Sequence, residues 1–523
     1  MFISLKSFFL GLSPFPISFL IPENLANYQS IYLEIHLAIR LLAVLTLCAL
    51  LEKWYKKHYD TQTINEKLFN LTMYIFVISL ISYGIYAYSL ADTAQSIHAL
   101  YNDSYVELGF HRFIKLLMYL GTASVLIMSS SYLRCNSIAL YEYIALVIFA
   151  LLGMVFLLSS SDFIMTYLAI ELMSLSFYLL AAFDKNNQLS TEAGLKYFIL
   201  GAFSSGLLLF GMSIIYGSTG STSYIAIRDI LLFSDFSQSE HILLGMSLVI
   251  IGLLFKLAAA PFHMWVPDVY QGSPTSSTAF FSIVPKVVIL GVLFQVLYVV
   301  FWQYFDFWHN IILTSAILSM FIGSLGAINQ VSIKRLFSYS AIGHAGYALM
   351  GFSTGSVDGV TSVLTYMLIY IVTLVGVFSI VLSLQKESDN TFTDKLSDLE
   401  GLGRTHPIQA GALTVLMFSI AGIPPLSGFF AKWYVFLSAV KSMYYFPVML
   451  AILASVIGAF YYIRIIKIMY FGNEEGTIFK KADVGSVILL SMSILFTLTF
   501  FIYAESIITY LFKVSSLWLG SGF

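Results

Sequence analysis

The sequence predicts an all-α polytopic membrane protein with about fourteen transmembrane helices, and three observations carry that prediction. Of its 523 residues, 59% are hydrophobic and 10% are charged, whereas a soluble protein carries about 25% charged residues. A chain of this length with so few charges cannot cover its surface in water, but it can cover it with lipid. Apolar runs recur along the whole chain at about 20 residues each, the length that crosses a hydrocarbon core of roughly 30 Å. Those runs do not alternate every second residue as barrel strands would. Backbone groups inside a bilayer must be bonded within their own segment, so each run is a helix.

Taken in order, residues 1–28 come first. The stretch "MFISLKSFFLGLSPFPISFLIPENL" is apolar but broken by Gly11, Pro14, Pro16 and Pro22. It has neither the short basic end nor the small-residue cleavage site of a signal peptide, and it reads as an interfacial or re-entrant extension. The predicted spans follow at 31–51, 68–90, 113–133, 139–159, 163–183, 194–217 and 241–263, then 275–301, 308–328, 336–355, 360–385, 408–438, 446–468 and 484–510. The polar connections reach about 20 residues, which leaves no room for a soluble domain. No strands are expected. The "GLG" at Gly401–Gly403 sits in a polar connection and cannot open a phosphate-binding βαβ unit. No NADH, flavin or ATP is therefore expected on this chain. Cys48 and Cys135 stand alone in or beside apolar runs and make neither a disulfide framework nor a metal cluster. The net charge of −2 argues against a nucleic-acid partner. The abundance of Phe (45) and Tyr (34) suits an organelle-encoded membrane protein.

Lys and Arg set the orientation. Odd-numbered connections and the span ends facing them hold fifteen, from Lys53 to Lys481, while the opposite side holds six: Lys6, Arg112, Lys115, Arg228, Lys441 and Lys513. The positive-inside rule puts the fifteen in the matrix or cytoplasm and both termini on the other side.

Five cations and one acid fit neither side: Arg40, Lys196, Lys256, Lys286, Lys432 and Glu171. An ionisable group in mid-span costs about 2.5–3.5 kcal/mol or more, and it marks an ion or proton path when it faces protein or water. Plainer readings compete. Lys196 follows Glu192 by four residues and suits a snorkelling side chain or a surface pair. Arg40, with Glu34 and His36, suits a local pair or a lipid-facing anchor, and Arg464 and Lys467 suit interface anchors. Lys256, Lys286 and Lys432 lie too deep for snorkelling, which leaves a structural buried pair as their alternative. Lysine suits proton chemistry because burial disfavours its charged form, whereas arginine stays protonated. A carboxylate about 7 Å away opposes that by roughly 2–3 kcal/mol at an effective dielectric near 20.

The helix breaks point the same way. Pro261 follows Lys256 by five residues, and Pro424 and Pro425 precede Lys432. A proline inside a span frees carbonyls that must face protein or water. Interrupted helices at mid-membrane are the ion-site device of transporters built from inverted repeats. Here spans seven and twelve are broken and each carries one lysine; an offset of five spans inverts topology. His263 and His344 are candidates for the proton path, with a hydrogen-bonded core histidine as the alternative. A haem pair is disfavoured, because the histidines do not match on two facing helices.

Five stretches then resemble a family in the right order: "YLAIELMSLSFYLLAA", "STEAGLKYFILGAFSSGLLLFGMSIIYGSTG", "FKLAAAPFHMWVPDVYQGSPT", "KRLFSYSAIGHAGY" and "AGIPPLSGFFAKWYVF". Over roughly 30–515 the chain resembles the proton-translocating, antiporter-like membrane-arm subunits of respiratory complex I. The resemblance implies that Glu171, Lys196, Lys256, Lys286 and Lys432 form a polar axis for proton translocation, with His263 and His344 on the connecting water path. It also implies two inverted five-helix repeats, helices 4–8 and 9–13. The chain then divides into the extension 1–28, helices 1–3 at 29–135, the repeats at 136–301 and 302–470, and a connection with the final helix at 471–523.

The resemblance further implies NADH oxidation and ubiquinone reduction on other subunits, which bind the flavin, iron–sulfur clusters and ubiquinone, with no redox site here. Expected partners are core and accessory subunits of the complex, among them a neighbouring antiporter-like subunit, together with membrane lipids. The expected location is the mitochondrial inner membrane, with both termini towards the intermembrane space. The extension 1–28 exceeds the family's usual start, and the family's Pro-Glu before the first span is not kept, since Glu34 follows Leu33. Two alternatives are a subunit of a multi-subunit cation/proton antiporter and a non-pumping membrane scaffold.

Overall fold

The computed structural model describes residues 62–89, 98–100, 104–136, 140–233, 240–388, 391–472 and 477–520, together with positions 39, 42, 43, 45 and 46. The five described positions of the first predicted span are helical. Glu34, His36, Arg40, Cys48 and the extension 1–28 lie outside the described residues. Among the described residues, ten helices are long and apolar enough to cross a membrane.

The first half comprises α1 (Gln62–Ser89), α2 (Gly109–Cys135), α3 (Leu140–Leu158), α4 (Phe163–Ala181), α5 (Gln188–Thr219), the short α6 (Tyr224–Phe233) and α7 (Glu240–Leu257). After a break come α8 (Trp265–Gly272), α9 (Thr275–Ile283) and α10 (Pro285–Phe294), whose last turns widen to a π-helix at Gln295–Val300. The second half holds α11 (Phe305–Ala327), α12 (Ile333–Phe352), α13 (Val357–Val381), α14 (Pro407–Ala421), α15 (Ser427–Lys441), α16 (Tyr445–Phe471) and α17 (Val484–Gly520). Local chemistry sets several ends. Asp162 Oδ1 accepts the N–H of Ile164 at 2.7 Å and starts α4, and Ser356 Oγ accepts Gly359 N–H at 3.0 Å and starts α13. Gly220 takes φ +69° and ends α5, and Gly422 takes φ +93° and ends α14.

The segment α9–α10 and helix α13 form the centre. The span Thr275–Val300 is buried throughout, whereas α16 and α17 turn most of their surface outwards. Phe198, Phe203, Met449, Phe460, Phe501 and Ile502 are large apolar side chains on that outer surface, as lipid contact requires. Small residues let backbones meet. A Cβ on Gly323 of α11 would sit 2.5 Å from Gly343 N of α12, and one on Gly211 of α5 would sit 2.7 Å from Gly245 O of α7.

The breaks are where the spans depart from simple helices. Span seven stops being helical at Leu257, four residues before Pro261, and Ala258 takes φ +69°. Its freed groups are answered from elsewhere in the chain. Trp265 Nε1 donates to Phe255 O at 3.1 Å, Ala260 N–H donates to Ser319 Oγ at 2.7 Å, and Ser315 Oγ donates to Ala260 O at 2.6 Å. Span twelve breaks over Gly422–Leu426. The predicted span 275–301 is also divided, because Pro285 opens a fresh helical segment after Val284.

One expectation is corrected. Strands do occur: β1 (His98–Leu100) and β2 (Tyr105–Glu107) form an antiparallel hairpin. Val106 N–H donates to Ser159 O at 2.8 Å, so the hairpin binds the α3–α4 junction. Arg112 and Lys115, counted above with the span ends of the less basic side, lie in the first turns of α2. They are 4% and 0% exposed inside α2, where Lys115 Nζ lies 3.3 Å and Arg112 Nε 3.8 Å from Glu107 Oε1. The hairpin brings the carboxylate that makes their burial tolerable.

In the connection before α14, Asp398 accepts Lys386 Nζ at 2.8 Å and the N–H groups of Asp394 and Lys395 at 3.2 and 3.1 Å. Burial pushes the Asp398 carboxyl up, but these donors outweigh it and hold the carboxyl below its ordinary value. A group depressed in the folded chain contributes stability above its unfolded value and loses it as pH falls through the folded one. The 385–398 connection is therefore expected to loosen below about pH 4, with Asp398→Asn flattening that dependence; hydrogen exchange of these amides measures both. Ser319→Ala strands the Ala260 N–H and is expected to destabilise by about 1–3 kcal/mol, read from unfolding of the purified chain in detergent.

Candidate functional site

Each of the deep lysines has its ammonium next to neutral polar groups and an aromatic face. Lys256, in the last turn of α7, donates to Ser174 Oγ at 2.8 Å and Tyr178 OH at 3.3 Å, and its Nζ lies 5.7 Å from the Tyr178 ring centre. Ser174 and Tyr178 stand three and seven residues after Glu171 on α4, so the three share one helix face. Glu171 lies close enough to Lys256 for direct Coulomb interaction. Its buried Oε1 has no hydrogen-bond partner among the described residues.

Lys286, in the first turn of α10, donates to Ala341 O of α12 at 2.5 Å and sits 5.7 Å from the Tyr370 ring centre. Lys256 and Lys286 line one small cavity, together with Tyr270, Phe281 and Pro285. It has room for roughly one water molecule. Ala341 is three residues before His344, so Lys286 meets α12 one turn from the histidine. The Tyr370 and His344 ring centres are 5.2 Å apart.

His344 is held on both sides. Nδ1 is 2.6 Å from Tyr366 OH and Nε2 is 3.2 Å from Tyr462 OH, which in turn lies 2.5 Å from Ser340 Oγ. His344 and Lys432 line two further cavities, one against Tyr366 and Tyr370 and one against Ser340 and Tyr462. Lys432 donates to Ala421 O at 2.8 Å and sits 5.2 Å from the Tyr347 ring centre. Ala421 ends α14, so Lys432 answers a carbonyl freed by the break in its own span.

These groups make a row: Glu171, Lys256, Lys286, His344 and Lys432, joined by small cavities and aromatic faces. The cation–π contacts lower the cost of each buried ammonium without a fixed counter-charge. Among the described residues none of the three lysines forms an ion pair; their partners are hydroxyls and carbonyls. A hydroxyl donates as well as accepts, so Lys256 keeps hydrogen bonds whether it bears the proton or not.

Two predicted residues are not gathered into the row. Lys196 is half-exposed on α5 and pairs with Glu192 at 2.8 Å and Asp268 at 2.9 Å. Asp268 also meets Arg335 at 3.1 Å, tying α8 to α12. This is the surface i,i+4 geometry with a third partner added. His263 lies on the irregular segment between α7 and α8 and is not among the residues lining the Lys256–Lys286 cavity; its Nδ1 is buried without a partner among the described residues. Pro261, Pro424 and Pro425 all fall inside the two breaks.

Sequence reading missed Ser174, Tyr178, Tyr366, Tyr370, Tyr462 and Asp268. For the first two a signal existed, their helical spacing from Glu171. For the other tyrosines none did, in a chain with 34 of them.

Residues 160–458 match the family described as NADH:quinone oxidoreductase/Mrp antiporter, TM. NADH-quinone oxidoreductase subunit N of Rhodospirillum rubrum is 39% identical over 473 residues, covering 89% of this chain and 95% of its own. NADH-ubiquinone oxidoreductase chain 2 of Marchantia polymorpha is 44% identical over 411 residues, covering 77% and 82%. A chain in the structure of respiratory complex I from Thermus thermophilus with bound aureothin aligns with a TM-score of 0.71 at 26% identity, covering 90% of this chain and 99% of that one. A chain of the Mrp complex from a Dietzia species aligns with a TM-score of 0.78 at 16% identity, covering 94% and 99%, a likeness of fold alone. A family match over more than half of the chain, with relatives near 40% identity across most of it, establishes that this chain belongs to the NADH:quinone oxidoreductase/Mrp antiporter family of membrane subunits.

Proposed function

We propose that the chain is an antiporter-like membrane-arm subunit of respiratory complex I and translocates protons across the mitochondrial inner membrane. In this reading it acts as the chain 2 component of a proton-translocating NADH:ubiquinone reductase. Other subunits oxidise NADH and reduce ubiquinone, and they hold the flavin, the iron–sulfur clusters and the quinone. The observation that carries the proposal is the row of buried lysines with neutral partners, linking a break in span seven to a break in span twelve. Its two halves, helices 4–8 and 9–13, are the inverted repeats of the proposal. Core and accessory subunits of the complex, including a second antiporter-like subunit, are its proposed neighbours, with both termini on the intermembrane-space side.

Protons enter from the matrix side, load Lys256 and Lys286, pass His344 and reach Lys432. Glu171 biases Lys256 directly through its charge, a turn of α4 away from Ser174. Lys196 is held by Glu192 and Asp268, so its part is to couple α5 and α8 to α12 at the edge of the row. His263 stands beside the first break, where a proton approaching Lys256 passes.

The direct test is proton pumping and quinone reduction by reconstituted complex carrying Lys256→Ala or Glu171→Ala. Protons pumped per electron are expected to fall in both; unchanged stoichiometry in both would refute the assignment. Stability gives a second test, separating relay from scaffold. A buried ammonium kept for chemistry costs stability, so Lys256→Met and Lys286→Met are expected to leave unfolding in detergent unchanged or raised, whereas Lys432→Met also strands the Ala421 carbonyl and is expected to cost about 1–3 kcal/mol. A loss of about 3–5 kcal/mol in both Lys256→Met and Lys286→Met would instead mark them as structural pairs.

A further inference from the structure

His344 is bonded at both ring nitrogens to hydroxyls from different helices, Tyr366 of α13 at Nδ1 and Tyr462 of α16 at Nε2. The two contacts measure 2.6 and 3.2 Å. Tyr462 OH continues to Ser340 Oγ of α12 at 2.5 Å. Tyr366, Tyr462 and Ser340 are 2%, 2% and 3% exposed, so bulk water reaches none of them. One line thus runs from Tyr366 through His344 and Tyr462 to Ser340, and its ends open on different spaces. Tyr366 shares a cavity with Tyr370, whose ring carries Lys286. Ser340 and Tyr462 share another with Ser324 and Ser455. Lys432 and His344 line both, and each cavity has room for about one water molecule.

Every member of this line both donates and accepts. A hydroxyl has one proton and two lone pairs, and a neutral imidazole has one N–H and one bare nitrogen. The line can therefore be polarised in either of two directions, which differ by the passage of one proton. With its hydrogen on Nε2, the ring gives to Tyr462 and takes from Tyr366; with it on Nδ1, the order reverses. A charged ring suits the place less well. Lys286 and Lys432 lie close enough for their charges to act on His344, and no carboxylate among the described residues lines either cavity. An imidazolium here is repelled by each loaded lysine with nothing to offset it.

We propose that Tyr366, Tyr462 and Ser340 are relay residues that carry the proton past His344, and that the ring works by exchanging its two neutral tautomers. The assignment rests on the proton path proposed above. A proton arriving from the Tyr370 side bonds to Tyr366 Oη as the hydroxyl's own proton moves to Nδ1. The Nε2–H bond breaks and its proton goes to Tyr462 Oη, while the proton of Tyr462 goes to Ser340 Oγ. The proton of Ser340 leaves through the shared cavity for the neutral amine of Lys432. One proton enters and one leaves, and all four side chains keep their charge. Before the next passage the ring hydrogen moves from Nδ1 to Nε2 through cavity water, and the hydroxyls turn.

The test uses the intact complex in proteoliposomes. Tyr462→Phe keeps the ring and removes the hydroxyl, and protons moved per electron are expected to fall to the level of Lys256→Ala. Combining the two is expected to lower the ratio no further, because both cut one path. Ser340→Ala leaves both tyrosines in place and is expected to act alike, which keeps the test valid where Tyr462→Phe hinders assembly. Infrared difference spectra of resting and NADH-driven complex, with histidine isotopically labelled in the ring, separate a relay from a clamp. Bands lost in His344→Gln belong to that ring. They are expected to show both neutral tautomers in the wild type and only one in Tyr462→Phe. Wild-type stoichiometry in Tyr462→Phe and Ser340→Ala, with Lys256→Ala lowered, would overturn the relay and leave the path standing. Wild-type stoichiometry in Lys256→Ala as well would overturn the path itself. A single unchanging tautomer, or an imidazolium band, would overturn the tautomer exchange.

Discussion

Hydrocarbon offers no hydrogen bonds, so every polar group inside this protein must be answered by another on the same chain or at its edge. That requirement governs the breaks. Where span seven stops being helical, two serines of α11 and the indole of Trp265 take up the freed groups of Phe255 and Ala260. Where span twelve stops, the carbonyl of Ala421 is taken by Lys432 itself. The two breaks are thus satisfied differently: the first by a packing neighbour, the second by one of the charges that define the site.

The same requirement separates two kinds of buried lysine. Lys115 has a carboxylate at 3.3 Å and a second cation nearby, an arrangement that fixes the hairpin to α2. Lys256, Lys286 and Lys432 have hydroxyls, carbonyls and aromatic faces instead. Such partners tolerate an ammonium without demanding one. An ion pair suits a strut; neutral partners suit a group whose charge changes.

Placement of the row follows from packing. Helices α9–α10 and α13 are enclosed by the rest, and small residues at crossings such as Gly323–Gly343 draw the surrounding helices close. Lys286 reaches α12 from this centre, and Tyr370 of α13 stands between it and His344. Lipid-facing bulk lies on α4, α5, α16 and α17 among others, so α4 shows one face to hydrocarbon while Ser174 and Tyr178 turn inwards to Lys256.

What the sequence determined by itself was the helical membrane architecture, because apolar runs of spanning length admit no other backbone solution. It also determined the deep lysines and Glu171, since a charge in an apolar run is costly enough to stand out. The prolines marked both breaks, although the helix of span seven ends four residues before Pro261. Only the tertiary structure decided which of those charges stand together. Lys196 had a surface pair with Glu192 as its plainer reading, and the fold adds Asp268 of α8 to that pair and keeps it at the edge. Arg112 and Lys115 were counted with the span ends of the less basic side, and only the fold shows that the hairpin brings Glu107 to them. The tyrosines that hold His344 come from α13 and α16, roughly twenty and over a hundred residues away. Hydropathy reads the cost of burying one group, whereas the partner that offsets this cost is set by packing between segments far apart in the chain.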